Sequence, residues 1–192
     1  MLGIVTLLSA CSAPAQVPYV EAIYDEETGR LRELAYDGNG NGRVDGWSYM
    51  DGTEVLRIEL DRDENGLVER WEYYGPGQRI EKVGISRAAN GKPDAWFYQG
   101  ADGALVKLEL AAGGDGRITR TEFYEEGQLA RSTEDTNGDG AVDKWETFHD
   151  GAVTSVAFDL EKAGRPTQRL LYARDGSLLR VDTGVALEKA PF

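Results

Sequence analysis

The sequence predicts an all-β protein, an antiparallel meander of about six β-hairpin repeats of 24–25 residues that form one elongated or curled sheet. The first observation is the spacing of the tryptophans. Trp47, Trp71, Trp96 and Trp145 are separated by 24, 25 and 49 residues, and Thr121 fills the missing place. Units of this length cannot bury an apolar face alone, so neighbouring units must stack.

The second observation is an alternation of apolar and charged residues within each unit. Leu56, Ile58 and Leu60 alternate with Arg57 and Glu59, which is the period of a strand with one covered face. A glycine-containing turn separates each such segment from an aromatic one, which is typical of a hairpin. The turns are Asp51-Gly52, Gly75-Pro76-Gly77, Asp102-Gly103, Glu126-Gly127 and Asp150-Gly151. Two strands per unit are therefore expected, with a weaker sixth unit near residues 170–176 and a partial first unit at residues 24–34.

Composition limits the partners of this chain. The formal net charge is −13 and the sequence pI is about 4.5, so we expect no nucleic-acid partner. Twenty-four glycines against six prolines indicate many tight turns, and 9% aromatic residues are too many for a disordered acidic tail. We expect the repeat domain to span residues 20–183, followed by a C-terminal tail at residues 184–192.

The N-terminus carries a short apolar segment that ends at Cys11, the one cysteine of the chain. Leu8-Ser9-Ala10-Cys11 resembles the lipobox of bacterial lipoproteins, although Met1-Leu2-Gly3 lacks the basic residues of a usual signal peptide. The resemblance implies that residues 1–10 are a signal peptide, that Cys11 is acylated, and that residues 11–19 are a tether. It predicts a membrane partner and a location at the bacterial cell envelope. The alternative is a buried thiol that follows an apolar segment by chance.

The third observation is a set of loops rich in Asp, Asn and Gly. The twelve residues from 135 to 146 resemble the EF-hand calcium loop, which supplies oxygen ligands from positions 1, 3, 5, 7, 9 and 12. In this loop the candidate Ca²⁺ ligands are Asp135, Asn137, Asp139, Ala141 through its carbonyl, Asp143 and Glu146. In the second loop they are Asp61, Asp63, Asn65, Leu67 through its carbonyl, Glu69 and Glu72. In the third they are Asp37, Asn39, Asn41, Arg43 through its carbonyl and Asp45, with Ser48 in place of the terminal Glu.

Only the loops resemble the EF-hand family, because the flanking residues predict strands rather than helices. Counting carboxylates, the loops at Asp135 and Asp61 should bind calcium before the loop at Asp37. The loops at residues 86–94 and 111–119 have lost most ligands and should stay empty. The alternative is that all of these loops are ordinary turns, which Asp, Asn and Gly also favour.

The aromatic segments carry further resemblances. Residues 24–31 are similar to the YD (RHS) repeat, and the general unit looks like MORN-type hairpins. Residues 96–105 are similar to the aromatic repeats of choline- and glucan-binding modules, which implies rings that bind sugars or quaternary ammonium groups. The alternative is that the rings pack across neighbouring strands.

Enzymatic chemistry is not predicted. His149 is the one histidine and lies beside a turn, and a zinc site would need a Cys and His cluster. The expected function is that of a calcium-binding, membrane-anchored structural or interaction lipoprotein of the cell envelope with a protein partner. The alternative is a carbohydrate- or cell-wall-binding module that uses the aromatic rows.

Overall fold

The computed structural model describes residues 19–184, and these form one antiparallel sheet whose fourteen strands follow the order of the chain. The strands are β1 Val20–Tyr24, β2 Leu31–Tyr36, β3 Gly46–Asp51, β4 Glu54–Leu60, β5 Arg70–Gly75, β6 Arg79–Ile85, β7 Ala95–Gln99, β8 Leu105–Ala111, β9 Ile118–Glu125, β10 Gln128–Glu134, β11 Lys144–His149, β12 Ala152–Phe158, β13 Gln168–Tyr172 and β14 Leu178–Thr183. The predicted all-β meander is confirmed. The sheet is open rather than curled on itself, because β1 and β14 pair only with β2 and β13.

Some predictions concern residues outside the described part of the chain. Cys11, the signal peptide at residues 1–10 and all but the last residue of the tether lie there, as does the tail from residue 185 onward. Between residues 19 and 184, no helix has the length and apolar character needed to cross a bilayer.

The sheet is a single layer in its described part. Each strand contacts only the strands before and after it in sequence, so no second layer covers either face. Few apolar side chains are therefore fully shielded from water, and they are mostly small. They are Ala35, Trp71, Val83, Ala95, Ala111 and Ala157. Stability in such a sheet depends on side chains packing against their cross-strand and same-face neighbours.

The register places the tryptophans in one row across the sheet. We call this the tryptophan row, and the surface that carries it the tryptophan face. From β2 to β14 the row is Ala35, Trp47, Glu59, Trp71, Gly84, Trp96, Glu109, Thr121, Thr133, Trp145, Ala157, Arg169 and Asp182. The 24–25-residue period of the sequence thus becomes a row of directly paired residues across the sheet.

All seven hairpins carry a β-bulge at the same place. In the β3–β4 hairpin the register shifts between Tyr49 and Met50, and the other six hairpins repeat the shift at the equivalent pair. A bulge inserts one extra residue and increases the local right-handed twist. The hairpin turns lie on the side of the sheet formed by one end of the strands. The longer loops that join successive hairpins lie on the opposite side, which we call the loop edge.

Candidate metal centre

Six loops of one design connect the hairpins. They span residues 37–45, 61–69, 86–94, 111–119, 135–143 and 159–167. The fourth and sixth residues of each loop have a left-handed backbone, as in Gly138 with φ 76° and Gly140 with φ 93°. The sixth residue is always glycine, because that conformation is costly for a residue with a Cβ. The fourth residue is not glycine in three loops, where Glu64, Ala89 and Lys162 have φ of 55°, 50° and 55°.

The first residue of a complete loop is a buried aspartate that binds the loop backbone. Asp135 Oδ1 accepts hydrogen bonds from the N–H groups of Gly138 at 2.7 Å and Asp139 at 3.2 Å, and its Oδ2 accepts from Gly140 at 2.8 Å. Asp37 is bound in the same way. Burial raises the pKa of both carboxyls, but these backbone hydrogen bonds outweigh it, so each pKa lies below its ordinary value. A carboxylate has about four acceptor positions, so part of this capacity remains for a cation.

The ninth residue closes the loop from the other side. Asp45 Oδ1 accepts the N–H of the second loop residue at 2.7 Å, and Asp143 Oδ1 accepts the equivalent N–H at 3.0 Å. Both oxygens of Glu69 accept the N–H of Arg62 at 3.0 Å. The first and ninth side chains therefore converge on the same short segment of backbone.

The Asp61 loop gathers its acids most closely. Carboxylate oxygens of Asp61, Asp63 and Glu69 all lie within 4.8 Å of one another, the one such trio between residues 19 and 184. Oxygens that share a calcium at 2.3–2.6 Å are separated by at most about 5 Å, so this spacing suits the ion. Asp61 is 4% exposed, whereas Asp63 lies open to solvent. Asn65 donates its amide to Asp63 at 3.0 Å, which places the fifth residue at the same cluster.

The Asp135 loop holds the same ligand types but does not gather its acids. Asp139 forms an ion pair at 3.6 Å with Lys162 of the following loop. Asp143 accepts the amide of Asn137 at 2.6 Å and the hydroxyl of Thr136 at 3.0 Å. Asp139 and Asp143 are thus engaged by side chains of the protein, in addition to Asp135, which binds the loop backbone.

The twelfth residues point away from the loops. Glu146 lies on the face opposite the tryptophan face, where it contacts Arg120 at 2.9 Å, Ser132 at 2.8 Å and Lys144 at 3.0 Å. Burial raises its pKa, but the hydrogen bonds from Lys144 and Arg120 lower the pKa below its ordinary value. Glu72 lies on the same face and accepts from Arg70 Nε at 2.6 Å and from the hydroxyl of Tyr74 at 2.8 Å. The structure brings neither Glu to its loop, because successive side chains of a strand alternate between the two faces.

A glutamate from the second loop binds the Asp37 loop. Glu64 Oε1 accepts the amide of Asn39 at 2.7 Å and also that of Asn41, and its Oε2 lies 3.6 Å from Arg43. Hydrogen bonds from Asn39 and Asn41 lower the pKa of Glu64 below its ordinary value. Three of the predicted ligand positions of this loop therefore take part in a contact between neighbouring loops.

The fifth and seventh residues of the three complete loops form one further pattern. The side-chain oxygen of the fifth residue accepts the N–H of the seventh. The pairs are Arg43 to Asn41 at 2.9 Å, Leu67 to Asn65 at 2.8 Å and Ala141 to Asp139 at 3.0 Å. The fifth oxygen is bound to the backbone of its own loop in each case.

The sequence analysis missed the sixth loop, residues 159–167. Asp159 Oδ2 accepts the N–H of Gly164 at 2.7 Å, and Thr167 Oγ1 accepts that of Leu160 at 2.9 Å. Its signal was present: an Asp 24 residues after Asp135, with a glycine at the sixth position. In the loop at residues 86–94, a guanidinium bonds the ninth-position Asp94, with Arg87 Nε at 2.9 Å from its Oδ1.

No protein-family model and no curated protein matches this chain. Among solved structures, the chain is similar over 54% of its length, at 17% identity and a TM-score of 0.29, to the accessory secretory proteins 1, 2 and 3 of Streptococcus pneumoniae. It is similar over 67%, at 14% identity and a TM-score of 0.22, to the GtfA/B complex bound to UDP and GlcNAc. It is similar over 85%, at 12% identity and a TM-score of 0.22, to TcdB2-TccC3-TEV. The matched parts are 17%, 22% and 12% of those chains, and at these TM-scores the likenesses carry no functional argument.

Proposed function

We propose that this chain is a calcium-binding repeat scaffold: a non-catalytic structural and interaction lipoprotein of the bacterial cell envelope, anchored through an acylated Cys11. The observation that carries the calcium part is the convergence of Asp61, Asp63 and Glu69 on one point of a loop. Three carboxylates at this separation repel one another, and a divalent cation between them removes the repulsion.

The geometry separates two loops that the sequence ranks equally. The Asp61 loop has three clustered carboxylates, whereas the Asp135 loop engages Asp139 with Lys162 and Asp143 with neighbouring side chains. In the Asp135 loop calcium must displace the Lys162 ammonium and two side-chain hydrogen bonds to Asp143, whereas in the Asp61 loop the side-chain contact to displace is that of Asn65 with Asp63. We therefore expect the Asp61 loop to bind first, the Asp135 loop next and the Asp37 loop last.

A bound ion would stiffen the junction between two hairpins. The N–H of Asp61 donates to the carbonyl of Asp45 at 2.9 Å, and the N–H of Ser86 donates to the carbonyl of Glu69 at 2.8 Å. Each of the four inner loops is thus bonded at its first residue to the preceding loop and at its ninth residue to the following one. An ion that joins the first and ninth residues of one loop would stiffen this series of hydrogen-bonded loops. A stiff series of loops suits a rigid scaffold for a protein partner.

Calorimetric titration of the soluble Cys11→Ser protein tests the calcium proposal. Asp61→Asn should remove the tightest site, while Asp115→Asn is the matched control because its loop lacks acids at the first and ninth positions. At about 1 mM calcium and a dissociation constant near 0.1 mM, a filled site stabilises the fold by about 1.4 kcal/mol. Absence of binding heat at millimolar calcium, with no effect of a chelator on the melting temperature, would reject the proposal.

Fractionation of cells tests the anchor separately. The wild-type protein should sediment with membranes, and Cys11→Ser should move it to the soluble fraction because the acyl chains supply the membrane affinity. Intact-mass measurement should show loss of residues 1–10 and a lipid adduct on Cys11. An unmodified Cys11 in the mature protein contradicts the proposal whatever the calcium result.

A further inference from the structure

A second row lies beside the tryptophan row on the same face, towards the hairpin turns. From β3 to β10 it alternates aromatic rings with cations and contains no carboxylate. Its members are Tyr49, Arg57, Tyr73, Lys82, Tyr98, Lys107, Phe123 and Arg131. We call it the aromatic–cation row. Four cations therefore stand in line on this face of a chain whose net charge is −13.

Each cation in the row lies over a ring. Arg57 Cζ is 4.2 Å from the centroid of Tyr49, Lys107 Nζ is 3.8 Å from that of Tyr98, and Arg131 Cζ is 4.0 Å from that of Phe123. Such contacts fix the cations in place and keep the rings spread across the strands. The row is therefore an ordered array rather than a set of independent surface side chains.

Lys82 occupies the place that a quaternary ammonium ligand would need. Its Nζ lies 3.9 Å from the ring centroid of Trp96, 5.2 Å from that of Tyr73 and 5.5 Å from that of Tyr98. The Trp96 ring covers Gly84 so closely that a Cβ there would lie 2.6 Å from it. The aromatic cage is thus filled by the chain itself, which argues against recognition of a choline-type cation and leaves recognition of an anion.

Two of the four cations have no acidic partner. Arg57 pairs with Glu59 at 3.1 Å and Lys107 pairs with Glu109 at 2.8 Å. Within residues 19–184, no carboxylate lies at ion-pair distance from Lys82 or Arg131. Lys82 therefore interacts with Glu109 only at longer range, and Arg131, which has no ion pair among the described residues, is exposed to solvent.

A groove opens at this row on the side of the hairpin turns. Its volume is about 600 Å³, within the range of small-molecule sites, and its lining includes Arg79, Glu81, Tyr98, Lys107 and Phe123. Flat rings beside cations are the groups that bind a sugar carrying an acid, whereas the carboxylate of Glu81 can only accept hydrogen bonds from the sugar hydroxyls. The ring face contacts the C–H groups of the pyranose, and the cation binds its carboxylate.

We propose that the aromatic–cation row binds a carboxylate-bearing polysaccharide laid across the strands. Cations recur on every second strand, about 9.6 Å apart for strands spaced at about 4.8 Å, so a regular polyanion meets several of them at once. Charge complementarity selects an acidic glycan over a neutral one. Nucleic acid is disfavoured because the acidic loops border the same face and repel a denser polyanion.

Binding of the full-length Cys11→Ser protein to polygalacturonate, measured in EDTA and low salt, tests the proposal. EDTA empties any calcium site, so the result stands apart from the calcium proposal. We expect binding that weakens with added salt and exceeds binding to dextran, a neutral polysaccharide. The double variant Lys82→Gln, Arg131→Gln should weaken it about tenfold, whereas Lys92→Gln, Arg174→Gln removes the same charge elsewhere and should have little effect.

Further variants keep the test independent of folding. Lys82→Arg retains the cation and should bind as the wild type does, and Phe123→Leu should weaken binding by removing a ring. If the double variant does not fold, Arg131→Gln alone carries the test, because this side chain is exposed. Equal affinity for dextran, tighter binding of single-stranded DNA, no binding of polygalacturonate, or equal losses in the row and control variants would overturn the proposal.

Discussion

At the scale of single residues, the loops are organised by a glycine and an aspartate. The sixth residue is a glycine with a left-handed backbone in all six loops, and in the complete loops an aspartate at the first position accepts its N–H. The glycine supplies a backbone conformation that other residues adopt only with strain. The aspartate accepts hydrogen bonds from backbone N–H groups that would otherwise lack a partner. Both roles are independent of any bound ion.

Gly140→Ala tests the backbone requirement. Nothing lies within 4 Å of an added Cβ at this position, so the cost arises only from the φ of 93°. We expect a loss of about 1–2 kcal/mol in the free energy of unfolding, measured by urea denaturation. Gly113→Ala is the control, because its φ is not left-handed and its Cβ would make only an ordinary contact with Asp115, at 3.7 Å. Equal losses in the two variants would contradict the explanation.

The low pKa values of Asp37 and Asp135 predict how stability depends on pH. Because the folded state holds each pKa below its ordinary value, these carboxylates contribute stability above about pH 4, the unfolded value. That contribution is lost as the pH falls through the folded pKa. In calcium-free buffer we therefore expect the melting temperature to decrease as the pH is lowered below about 4. Asp135→Asn should reduce the slope of that fall, and an unchanged slope would show that the carboxylate is not linked to folding.

At the scale of strands, alternation decides which acids can reach a loop. Position nine lies in the loop itself, before the strand begins, whereas position twelve lies within the strand, on the face opposite the tryptophan face. There Arg120 of β9, Glu134 of β10 and Lys144 of β11 form an ion-pair network with Glu146. The residue that ends a calcium loop between helices is used here to hold three strands together.

Glu146→Gln distinguishes these two roles. The side chain is 12% exposed and accepts from two cations and a hydroxyl, so the change should cost about 1–2 kcal/mol of stability. Thermal or urea unfolding should show the same loss with calcium and with chelator. Loss of a calcium site in the variant, detected by calorimetry, would show that Glu146 is a calcium ligand and would contradict the structural role.

At the scale of the whole molecule, the sheet is a chain of nearest-neighbour contacts. No strand of the described part contacts any but its sequence neighbours, so each hairpin is stabilised by the ones beside it. Repeat proteins built in this way have stabilities that are roughly sums over units and junctions. The edge strand β14 is the least covered, with Leu179 67% exposed. Among residues 19–184, β1 and β14 each pair with a strand on one side only.

Excision of one unit tests this description. Deleting residues 86–110 joins Ile85 to Ala111, keeps a loop between two strands and leaves twelve strands in the same order. We expect a β-type circular dichroism spectrum and one cooperative transition at a lower melting temperature, because a hairpin and its junctions are lost. Deleting only residues 86–99 removes a loop and the strand β7. The hairpin turn that precedes β8 then directly follows β6, on the loop edge of the sheet, where the longer loops lie. This control should not fold, and equal behaviour of the two deletions would contradict the nearest-neighbour account.

The sequence by itself determines the all-β class, the hairpin repeat and the positions of five of the six loops. These features rest on patterns within about 25 residues: the spacing from Trp47 to Trp71, the alternation around Ile58, and the glycine turns. Local backbone preferences and side-chain alternation decide these features, so one amino-acid sequence is sufficient to predict them. The sixth loop was missed because its ligand types have changed at most positions.

Tertiary structure decides what depends on register between strands. Only pairing shows that Lys82 is enclosed by Tyr73, Trp96 and Tyr98, that Glu64 reaches back to the preceding loop, and that Glu146 is turned from its own. These side chains are separated along the chain and meet because the bulges and loops align successive hairpins. A one-residue change of register would move each of them to the other face, and the linear pattern of the sequence does not specify that alignment.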